Sequence, residues 1–413
     1  MTRPIAAFLV AVTLVAGVAV GVAAANLALG PGSTPTPRVA LASPTAAGPA
    51  TTAPATTPTS GPGGTPTPGT TPEPTPTQTP EPTPTPVPTP VLVAAPLTGM
   101  PVTEAVAKRP VIAIMIDDLS AARPQSGLSR ASIVWQAPAE GGIPRYEALF
   151  QDTDPPSVGP IRSSRLYFIS WAAEWHAVYV HAGGSPQALA LLNSSQGRGK
   201  VVYNADQFRY GKYLYRVKTR RAPHNVYSDA KNLRALVKKV GAKPRDLAAA
   251  WQFAPDAPLE ARPQGSKLAV PYLANKISYA YDRASNTWLR SVSVEGKQVD
   301  RGTKERIGPK NVVIMFMKFA PLNDGSHKHR LEAQFTGKGT AWIATNGKAV
   351  KGTWRKASMS APTKFYGPDG KEATLTMGQT FVQVVPLGTK VSIKNGTVPQ
   401  PASSQSPAPS PTP

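Results

Sequence analysis

Cysteine is absent from this 413-residue chain. Its absence excludes disulfide bonds, thiolate catalysis, thiolate metal sites and attachment of a lipid to an N-terminal cysteine. The five histidines match neither a His-Glu-x-x-His helix nor a three-ligand cluster, so a zinc site is not expected. A Walker loop, a Gly-x-Ser-x-Gly elbow and a dinucleotide fingerprint are also missing. No cofactor is therefore expected, with Mg²⁺ or Ca²⁺ on carboxylates as the open alternative.

Acidic residues are few, since 23 Asp and Glu oppose 45 Lys and Arg and leave a formal net charge of +22. Before residue 91, Arg3 and Arg38 cancel Glu73 and Glu81, so the whole excess falls on the later part of the chain. A field of this sign attracts phosphate-rich polymers, anionic lipids or nucleic acid, although a basic balance can also serve solubility alone. We expect anionic wall polymer or the membrane surface as partner, and nucleic acid is less favoured.

Residues 1–30 contain no acidic side chain and carry an apolar stretch from Ile5 to Leu29 after Arg3. The stretch exceeds the roughly 7–15 residues of a signal-peptide core and reaches the roughly 20 residues that span a bilayer. It predicts an uncleaved signal-anchor, with a cleaved signal peptide ending near Ala23-Ala24-Ala25 as the alternative. The protein is thus expected outside the cytoplasm, anchored in the cell membrane, or secreted if the signal is cleaved.

Proline is abundant but unevenly placed, and much of it lies in residues 31–90 with threonine, glycine and alanine. This composition cannot bury a core and favours extended polyproline II geometry. It predicts a disordered stalk, which is O-glycosylated or an unmodified spacer. Residues 398–413 repeat the composition and are predicted to form a disordered tail.

The remaining sequence predicts an α+β protein with an N-terminal α/β domain and a β-rich C-terminal domain. The first covers residues 97–242 and has a mixed sheet, the second covers 275–397, and residues 243–274 form a connector. Apolar runs predict four strands in the first domain, at 111–116, 132–137, 146–151 and 177–181. Capping residues predict helices that begin near Ser163-Ser164, at Ser185-Pro186 and at Ser228-Asp229. Asn346-Gly347 predicts a two-residue hairpin turn in the second domain.

Arginines, carboxylates and glycine turns are concentrated between Val111 and Ser185, at the ends of the predicted strands. Two segments share a strand, a Gly or Pro turn and a helix start, and helix N-termini bind anions through free N–H groups. The alternative is that these glycines and serines serve only as turns and caps. The residues expected to bind an anion are Arg123, Arg145, Arg162, Ser163, Ser164, Arg165, His181, Gly183, Gly184, Ser185, His224 and Asn225.

Three carboxylates are candidates for catalysis, namely Asp117, Asp118 and Glu140. Strand ends in α/β folds open onto the ligand crevice, where acid–base or metal-binding carboxylates commonly lie. The favoured interpretation is that they pair with Arg123, Arg145 or Arg162 and organise the cleft. No spacing requires them to share one metal ion.

Several motifs together resemble the YerB-like bacterial lipoprotein family: Met115-Ile116-Asp117-Asp118, Glu140-Gly141-Gly142-Ile143, Gly159-Pro160-Ile161-Arg162-Ser163-Ser164-Arg165, His181-Ala182-Gly183-Gly184-Ser185-Pro186 and Ala222-Pro223-His224-Asn225. The resemblance extends over nearly all of residues 97–387. It implies a two-part domain of unknown function in a Gram-positive-type cell envelope, and it supplies no catalytic residues. Family members are lipid-anchored through a cysteine that this chain lacks, so the apolar N-terminus is expected to replace the lipid.

A weaker resemblance, in residue order alone, is to LytR-type glycopolymer transferases, which hold a polyprenyl pyrophosphate with an aspartate and arginines. The leading hypothesis is an envelope protein that binds an anionic glycopolymer, a lipid-linked precursor or an envelope protein partner through the Arg/Gly cleft. The rival hypothesis is a phosphoryl- or glycosyl-transfer enzyme or hydrolase that uses Asp117 or Asp118 as base.

Overall fold

The computed structural model of this protein describes residues 91–400 and, before them, Gly69 alone. The predicted signal-anchor at 1–30, the predicted stalk apart from Gly69, and residues 401–413 of the predicted tail lie outside the described residues. Within residues 91–400, no helix combines the length and the apolar character needed to cross a membrane.

The four strands predicted from apolar runs in the N-terminal part are present, together with five others. The strands are β1 Leu92–Ala94, β2 Pro101–Thr103, β3 Ile112–Asp117, β4 Ile133–Glu140, β5 Ile143–Phe150, β6 Val178–His181, β7 Tyr203–Asp206, β8 Tyr215–Arg216 and β9 Val226–Tyr227. The α-helices are α1 Glu104–Ala107, α2 Leu166–Ala173, α3 Pro186–Asn193, α4 Gln207–Tyr210 and α5 Ala230–Lys239. Two short 3-10 helices cover Ser120–Ala122 and Leu128–Arg130.

The helix starts follow the predicted caps in two cases and depart from them in one. Ser185 Oγ accepts a hydrogen bond from the backbone N–H of Ala188 at the start of α3, and Asp229 caps α5 in the same way through Asn232. Helix α2 instead begins at Leu166 after Arg165, and no side chain caps it. The prediction of a serine cap at Ser163-Ser164 is therefore wrong.

The C-terminal part consists of strands and one 3-10 helix, Leu259–Ala261. Its strands are β10 Gln252–Ala254, β11 Lys267–Pro271, β12 Lys276–Asp282, β13 Thr287–Val292, β14 Gly296–Lys297, β15 Asn311–Met317, β16 Phe319–Pro321, β17 Leu331–Ala333, β18 Gly337–Thr345, β19 Lys348–Lys356, β20 Lys364–Tyr366, β21 Thr374–Thr376, β22 Thr380–Pro386 and β23 Ser392–Lys394. Two of these strands, β10 and β11, fall inside residues 243–274, which the sequence analysis assigns to a connector.

The predicted hairpin turn is confirmed between β18 and β19, where Thr345 pairs with Lys348. Asn346 and Gly347 between them have φ angles of 47° and 74°. Both angles are positive, as a two-residue turn of this type requires, and asparagine and glycine tolerate them best.

One ten-stranded mixed sheet runs through both parts of the chain in the order β20-β19-β18-β15-β22-β4-β5-β3-β6-β7. The parts meet where β22 pairs in parallel with β4, in the register from Thr380↔Ile133 to Gln383↔Gln136. A separate five-stranded sheet has the order β14-β13-β12-β11-β23. The predicted α+β class is confirmed, and the two predicted domains share a sheet.

Apolar layers cover both faces of the large sheet. Alternate residues of β3 join different clusters, with Ala113 and Met115 in one and Ile114 and Ile116 in the other. The first cluster includes the stacked rings of Trp135 and Trp171, whose centroids lie 4.5 Å apart. Strand β3 is therefore fixed from both sides, which holds its polar C-terminal end in place.

Candidate functional site

Asp117 and Asp118 follow each other at the end of β3 but have different surroundings, as the alternation of side chains along a strand leads one to expect. Asp117 lies opposite Arg145 of β5 in the antiparallel register and lines a cavity. Asp118 is buried and is absent from the cavity lining. Only the first of the two is accessible to a small molecule.

Arg162 is brought to Asp117 by the segment that crosses the end of β3. The backbone N–H of Asp117 donates to the Pro160 carbonyl at 2.9 Å, and the N–H of Arg162 donates to the Met115 carbonyl at 2.9 Å. The Arg162 Nε then lies 2.9 Å from Asp117 Oδ2. Two backbone hydrogen bonds therefore set the position of this ion pair.

His224 contacts the same carboxylate oxygen from a loop ahead of β9. Its Nδ1 lies 2.6 Å from Asp117 Oδ2. Arg220 fixes the loop, because its Nη1 donates to the Ala121 carbonyl and its Nη2 to the Pro124 carbonyl, both at 2.8 Å. An ionised carboxylate can only accept, so the imidazole donates from Nδ1, and in the neutral form of the ring the lone pair is then on Nε2.

A cavity of about 50 Å³ opens beside this cluster. Space of that size accommodates water molecules or one small polar group of a larger ligand. Its lining unites four of the predicted site residues with two apolar side chains: Asp117, Leu119, Glu140, Ile143, Arg145 and Arg162.

Glu140, at the end of β4, forms ion pairs with two arginines at one side of the cavity. Arg145 Nη2 donates to Glu140 Oε1 at 2.7 Å, and Arg165 Nη2 contacts Oε2. Burial acts to raise the pKa of Glu140, but the two guanidinium groups outweigh it and the pKa is lowered. Arg145 and Arg165 are themselves buried, so their charges serve Glu140 more than an incoming anion.

Arg162 differs from its neighbours in having unused hydrogen-bond donors on a partly exposed side chain. Its side chain is 24% exposed, against 5% for Arg145 and 4% for Arg165. Among residues 91–400, its terminal Nη atoms form no hydrogen bond with the protein. The expected pairing of carboxylates with arginines is confirmed, and it leaves the Arg162 fork as the free cationic group at the cavity.

Asp118 and Arg123, both predicted site residues, lie in a buried polar network on the other side of the β3 end. Arg123 Nε donates to Asp118 Oδ1 at 3.0 Å, and Asn275 Nδ2 donates to Asp118 Oδ2 at 2.8 Å. Gln136 Nε2 donates to the same Oδ2 at 2.7 Å, while its Oε1 accepts from Arg290 Nη2 at 2.6 Å. The network therefore links the N-terminal part of the chain to Asn275, just before β12, and to Arg290 of β13 in the C-terminal part.

Burial raises the pKa of Asp118, and the guanidinium groups of Arg123 and Arg290 oppose the increase. All of its recorded side-chain partners are N–H donors, which fits an ionised carboxylate held by fixed dipoles and charges. The arrangement leaves Asp118 without access to solvent and separates it from the cavity that Asp117 lines.

The second strand-turn-helix segment, at the end of β6, is satisfied by the protein itself. His181 bonds the Gly183 carbonyl through Nδ1 at 2.9 Å and Asn204 Oδ1 through Nε2 at 2.8 Å. The N–H of Gly183 donates to Asp206 Oδ1 at 3.2 Å, and the N–H of Ser185 donates to a backbone carbonyl. These donors are already used, and none of these residues lines the small cavity.

The other predicted binding residues also have internal partners. Ser164 Oγ lies 2.8 Å from the Tyr179 hydroxyl, and Gly184 forms a parallel bridge with Ser164. The Ser163 carbonyl accepts from an Arg145 guanidinium nitrogen at 2.9 Å. Asn225 Oδ1 accepts from Arg216 Nη1 at 2.7 Å. They support the arginines and loops around the cavity.

A larger groove, of about 310 Å³, lies between the starts of α2 and α3 and the β16–β17 hairpin. Ser185 lines it, together with Tyr167, Lys318 and several aliphatic side chains. Elsewhere in the described part of the chain, as at the cavity, no group of three or more His, Asp or Glu side chains is placed to hold a metal ion.

Two C-terminal residues of the Asp118 network are not predicted from the sequence: Asn275, which donates to Asp118, and Arg290, which donates to Gln136. Neither belongs to a motif, and both lie more than 150 residues away along the chain. A single sequence carries no signal for such pairs. The proximity of His224 to Asp117, separated by 107 residues, is likewise visible only in the structure.

Two protein-family models match this chain in succession. The N-terminal domain of DUF3048, described as a protein of unknown function, matches residues 97–243, and the C-terminal domain of DUF3048 matches residues 268–382. Together they cover more than half of the chain.

The chain is also similar to YerB of Bacillus subtilis (strain 168), which is described as a proposed lipoprotein. They are 29% identical over 309 residues, which is 73% of this chain and 89% of the relative. The crystal structure of YerB from Bacillus subtilis has a TM-score of 0.65 and 26% sequence identity, covering 73% of this chain and 100% of that one. The two family matches, this relative and this structure agree, and the chain belongs to the family defined by the DUF3048 N- and C-terminal domains.

Proposed function

We propose that this protein is an extracytoplasmic envelope protein, tethered by its apolar N-terminus, that binds a phosphate group of an anionic glycopolymer or of its lipid-linked precursor at Arg162. The description of its relative YerB as a proposed lipoprotein supports the compartment. The apolar segment at residues 5–29 takes the place of the cysteine-linked lipid that this sequence cannot carry.

The observation that carries the proposal is the free guanidinium fork of Arg162. Its Nε lies at an ion-pair distance of 2.9 Å from Asp117 Oδ2, while none of its N–H groups forms a hydrogen bond with the protein among residues 91–400, and its side chain is 24% exposed. A guanidinium presents parallel N–H donors that match two oxygens of a phosphate. Arg145 and Arg165 add positive charge near this position, but both are buried and paired with Glu140, and the unpartnered Nε of Arg165 is buried as well.

The charge of the chain supports the same class of ligand. Its net charge of +22 lies after residue 90, so the field extends from the folded part. Such a field raises the local concentration of a polyanion and accelerates its association, and both effects weaken with salt. Wall glycopolymers joined by phosphodiesters combine a regular negative charge with hydroxyl groups that fit a polar cavity.

Retention on purified wall glycopolymer tests the proposal with Arg162→Ala. Hydrogen bonds to charged groups are worth about 1.5–3 kcal/mol, so the dissociation constant should rise roughly 10- to 100-fold. The matched control is Arg198→Ala, which removes the same charge from an exposed position distant in sequence and should change affinity little. Equal losses in both variants would mean that general charge, and not the cavity, binds the polymer.

A lipid-linked precursor in vesicles serves as the second ligand in the same assay. Binding of precursor vesicles without binding of polymer would assign the site to the precursor. Retention by the Arg162→Ala variant equal to that of the unmodified protein for both ligands overturns the proposal.

A further inference from the structure

We propose that His224, positioned by Asp117, acts as the acid–base catalyst for hydrolysis of a phosphodiester bond held at Arg162. This inference rests on the proposed function, since it requires the phosphate group to bind at Arg162. It adds a reaction to the binding site and needs only water as the second reactant.

The imidazole of His224 has a fixed orientation. Asp117 Oδ2 receives the Nδ1–H of His224 at 2.6 Å, while Asp117 Oδ1 accepts from the backbone N–H of Leu119 at 3.2 Å. Both carboxylate oxygens are thus engaged, and the carboxylate is held at 4% side-chain exposure. A carboxylate on Nδ1 fixes the tautomer and stabilises the imidazolium that forms when Nε2 takes a proton.

The Nε2 atom on the other side of the His224 ring has no protein partner in the described residues. In residues 91–400, no protein group bonds Nε2 of His224, and this atom does not occur among the buried polar atoms that lack partners. It is therefore accessible to a water molecule. General bases must reach the proton that they abstract directly or through one water, and an open Nε2 satisfies that condition.

The other histidines of the described chain lack this combination. His181 has both ring nitrogens engaged, by the Gly183 carbonyl and by Asn204. His176 Nε2 lies 2.9 Å from a backbone carbonyl oxygen. His224 is the one histidine of residues 91–400 within ion-pair distance of a carboxylate.

His224 and Arg162 both contact one oxygen, Asp117 Oδ2. The imidazole Nδ1 lies 2.6 Å and the guanidinium Nε 2.9 Å from Asp117 Oδ2. Asp117, which lines the cavity, therefore contacts at one oxygen both the guanidinium of Arg162, which also lines the cavity, and the imidazole of His224, which approaches from the loop outside the lining. A catalytic site needs a base and a charge-stabilising group around the same reacting centre.

The reaction proceeds as follows. The oxygen of water attacks phosphorus and forms the new P–O bond, and its proton passes to Nε2 of His224. The P–O bond to the leaving alcohol breaks, and the leaving oxygen takes the proton from Nε2. Arg162 binds the phosphoryl oxygens on which negative charge accumulates. The products are a phosphomonoester and an alcohol, and the imidazole returns to its neutral state.

The test measures release of p-nitrophenol from bis(p-nitrophenyl) phosphate by the protein and by His224→Gln. General acid–base catalysis contributes about 10²–10⁴-fold, so His224→Gln should lose at least about 100-fold of the rate. The matched control is His327→Gln, at an exposed histidine outside the cavity, which should keep the rate. Imidazole added to His224→Ala should restore part of the release, which a purely structural role for His224 does not predict.

Measuring the binding of wall glycopolymer distinguishes a failure of the proposed catalysis from a failure of the proposed phosphate binding. His224→Gln should still be retained on wall glycopolymer, because Arg162 is intact. No release above buffer by the unmodified protein, or equal release by His224→Gln, overturns the catalytic role and leaves the binding function standing. Release that persists in Arg162→Ala overturns the phosphate-binding role of Arg162 instead. Cleavage of p-nitrophenyl acetate without cleavage of the phosphodiester overturns the assignment of the bond.

Discussion

Asn275 Nδ2 donates a hydrogen bond of 2.8 Å to Asp118 Oδ2, and with it the C-terminal part of the chain contacts the end of the strand that carries the candidate site. Asp118 directly follows β3, and Asn275 directly precedes β12. The contact is fully buried and joins residues that are 157 positions apart. The position of Asp117, one residue earlier, therefore depends on the C-terminal part of the protein.

Replacing Asn275 by alanine should destabilise the protein by about 1–3 kcal/mol, since a buried carboxylate loses one of its donors. Urea unfolding followed by circular dichroism measures the change. The control is Asn323→Ala at an exposed asparagine, which should stay within about 0.5 kcal/mol of the parent. A loss in Asn275→Ala no larger than in this control would show that the contact contributes little.

A fragment of residues 91–243 should not fold on its own. It lacks β22, so β4 is left with an unpaired edge in the middle of the native sheet, and Asp118 loses Asn275 and Arg290. Exposed hydrophobic edge strands promote aggregation. Size-exclusion chromatography and the chemical-shift dispersion of NMR spectra compare this fragment with residues 91–400. A monomeric fragment with a well-dispersed spectrum would contradict the prediction.

Glu140→Gln should cost about 3 kcal/mol near neutral pH, because Arg145 and Arg165 then lose their partner in a largely buried position. The pKa of Glu140 is lowered in the fold, so its stabilising contribution is complete above the unfolded pKa of about 4.3. The contribution is lost as the pH falls through the folded pKa. Unfolding free energies of parent and variant should therefore converge below about pH 4, and a difference that stays constant to pH 3 contradicts the ion pairing.

Glu147→Gln should stabilise the protein near neutral pH, whereas Glu140→Gln should destabilise it. Both Glu147 carboxylate oxygens are buried without a partner, and burial, aided by the negative Glu174, raises the pKa well above its usual value while Lys356 opposes this. The folded state holds the proton on Glu147, whereas the unfolded chain releases it above about pH 4.3. The free energy of unfolding of the parent should therefore fall by up to about 1.4 kcal/mol per pH unit above that pH, and that of the variant should not. The advantage of Glu147→Gln should therefore grow from pH 5 to pH 7.

Glu174→Gln is the control for this comparison. Glu174 is paired with Lys356 at 2.7 Å, so its replacement should destabilise the protein at neutral pH. Denaturant midpoints across pH 5–7 for both variants show whether Glu147→Gln stabilises the protein with rising pH while Glu174→Gln destabilises it. A Glu147→Gln variant whose stability runs parallel to the parent would show that this carboxyl titrates normally.

Local features of the fold could be predicted from the sequence because their causes are local. The alternation and apolar runs of β3 to β6, the Ser185 cap and the Asn346-Gly347 turn depend on neighbours within a few residues. The helix α2 begins near the predicted position, but its serine cap is absent because Ser164 bonds Tyr179, 15 residues away.

The candidate site was predictable in composition but not in arrangement. Strand-end carboxylates and nearby arginines identified Asp117, Glu140, Arg145 and Arg162. The sequence could not separate Asp118, held from β12 and β13, from Asp117, which is open to the cavity. That distinction depends on pairs of residues more than 100 positions apart, for which a single sequence has no pattern.

The parallel pairing of β4 with β22 also has a consequence for the time course of folding. Gln379, just before β22, donates to the Leu128 carbonyl near β4, and 251 positions separate these residues. At synthesis rates of about 5–20 residues per second, the partner of β4 follows it by roughly 10–50 s. Contacts of such long range also fold slowly. The newly made N-terminal part must therefore stay open for that interval, during which a holding chaperone has time to bind the exposed edge of β4.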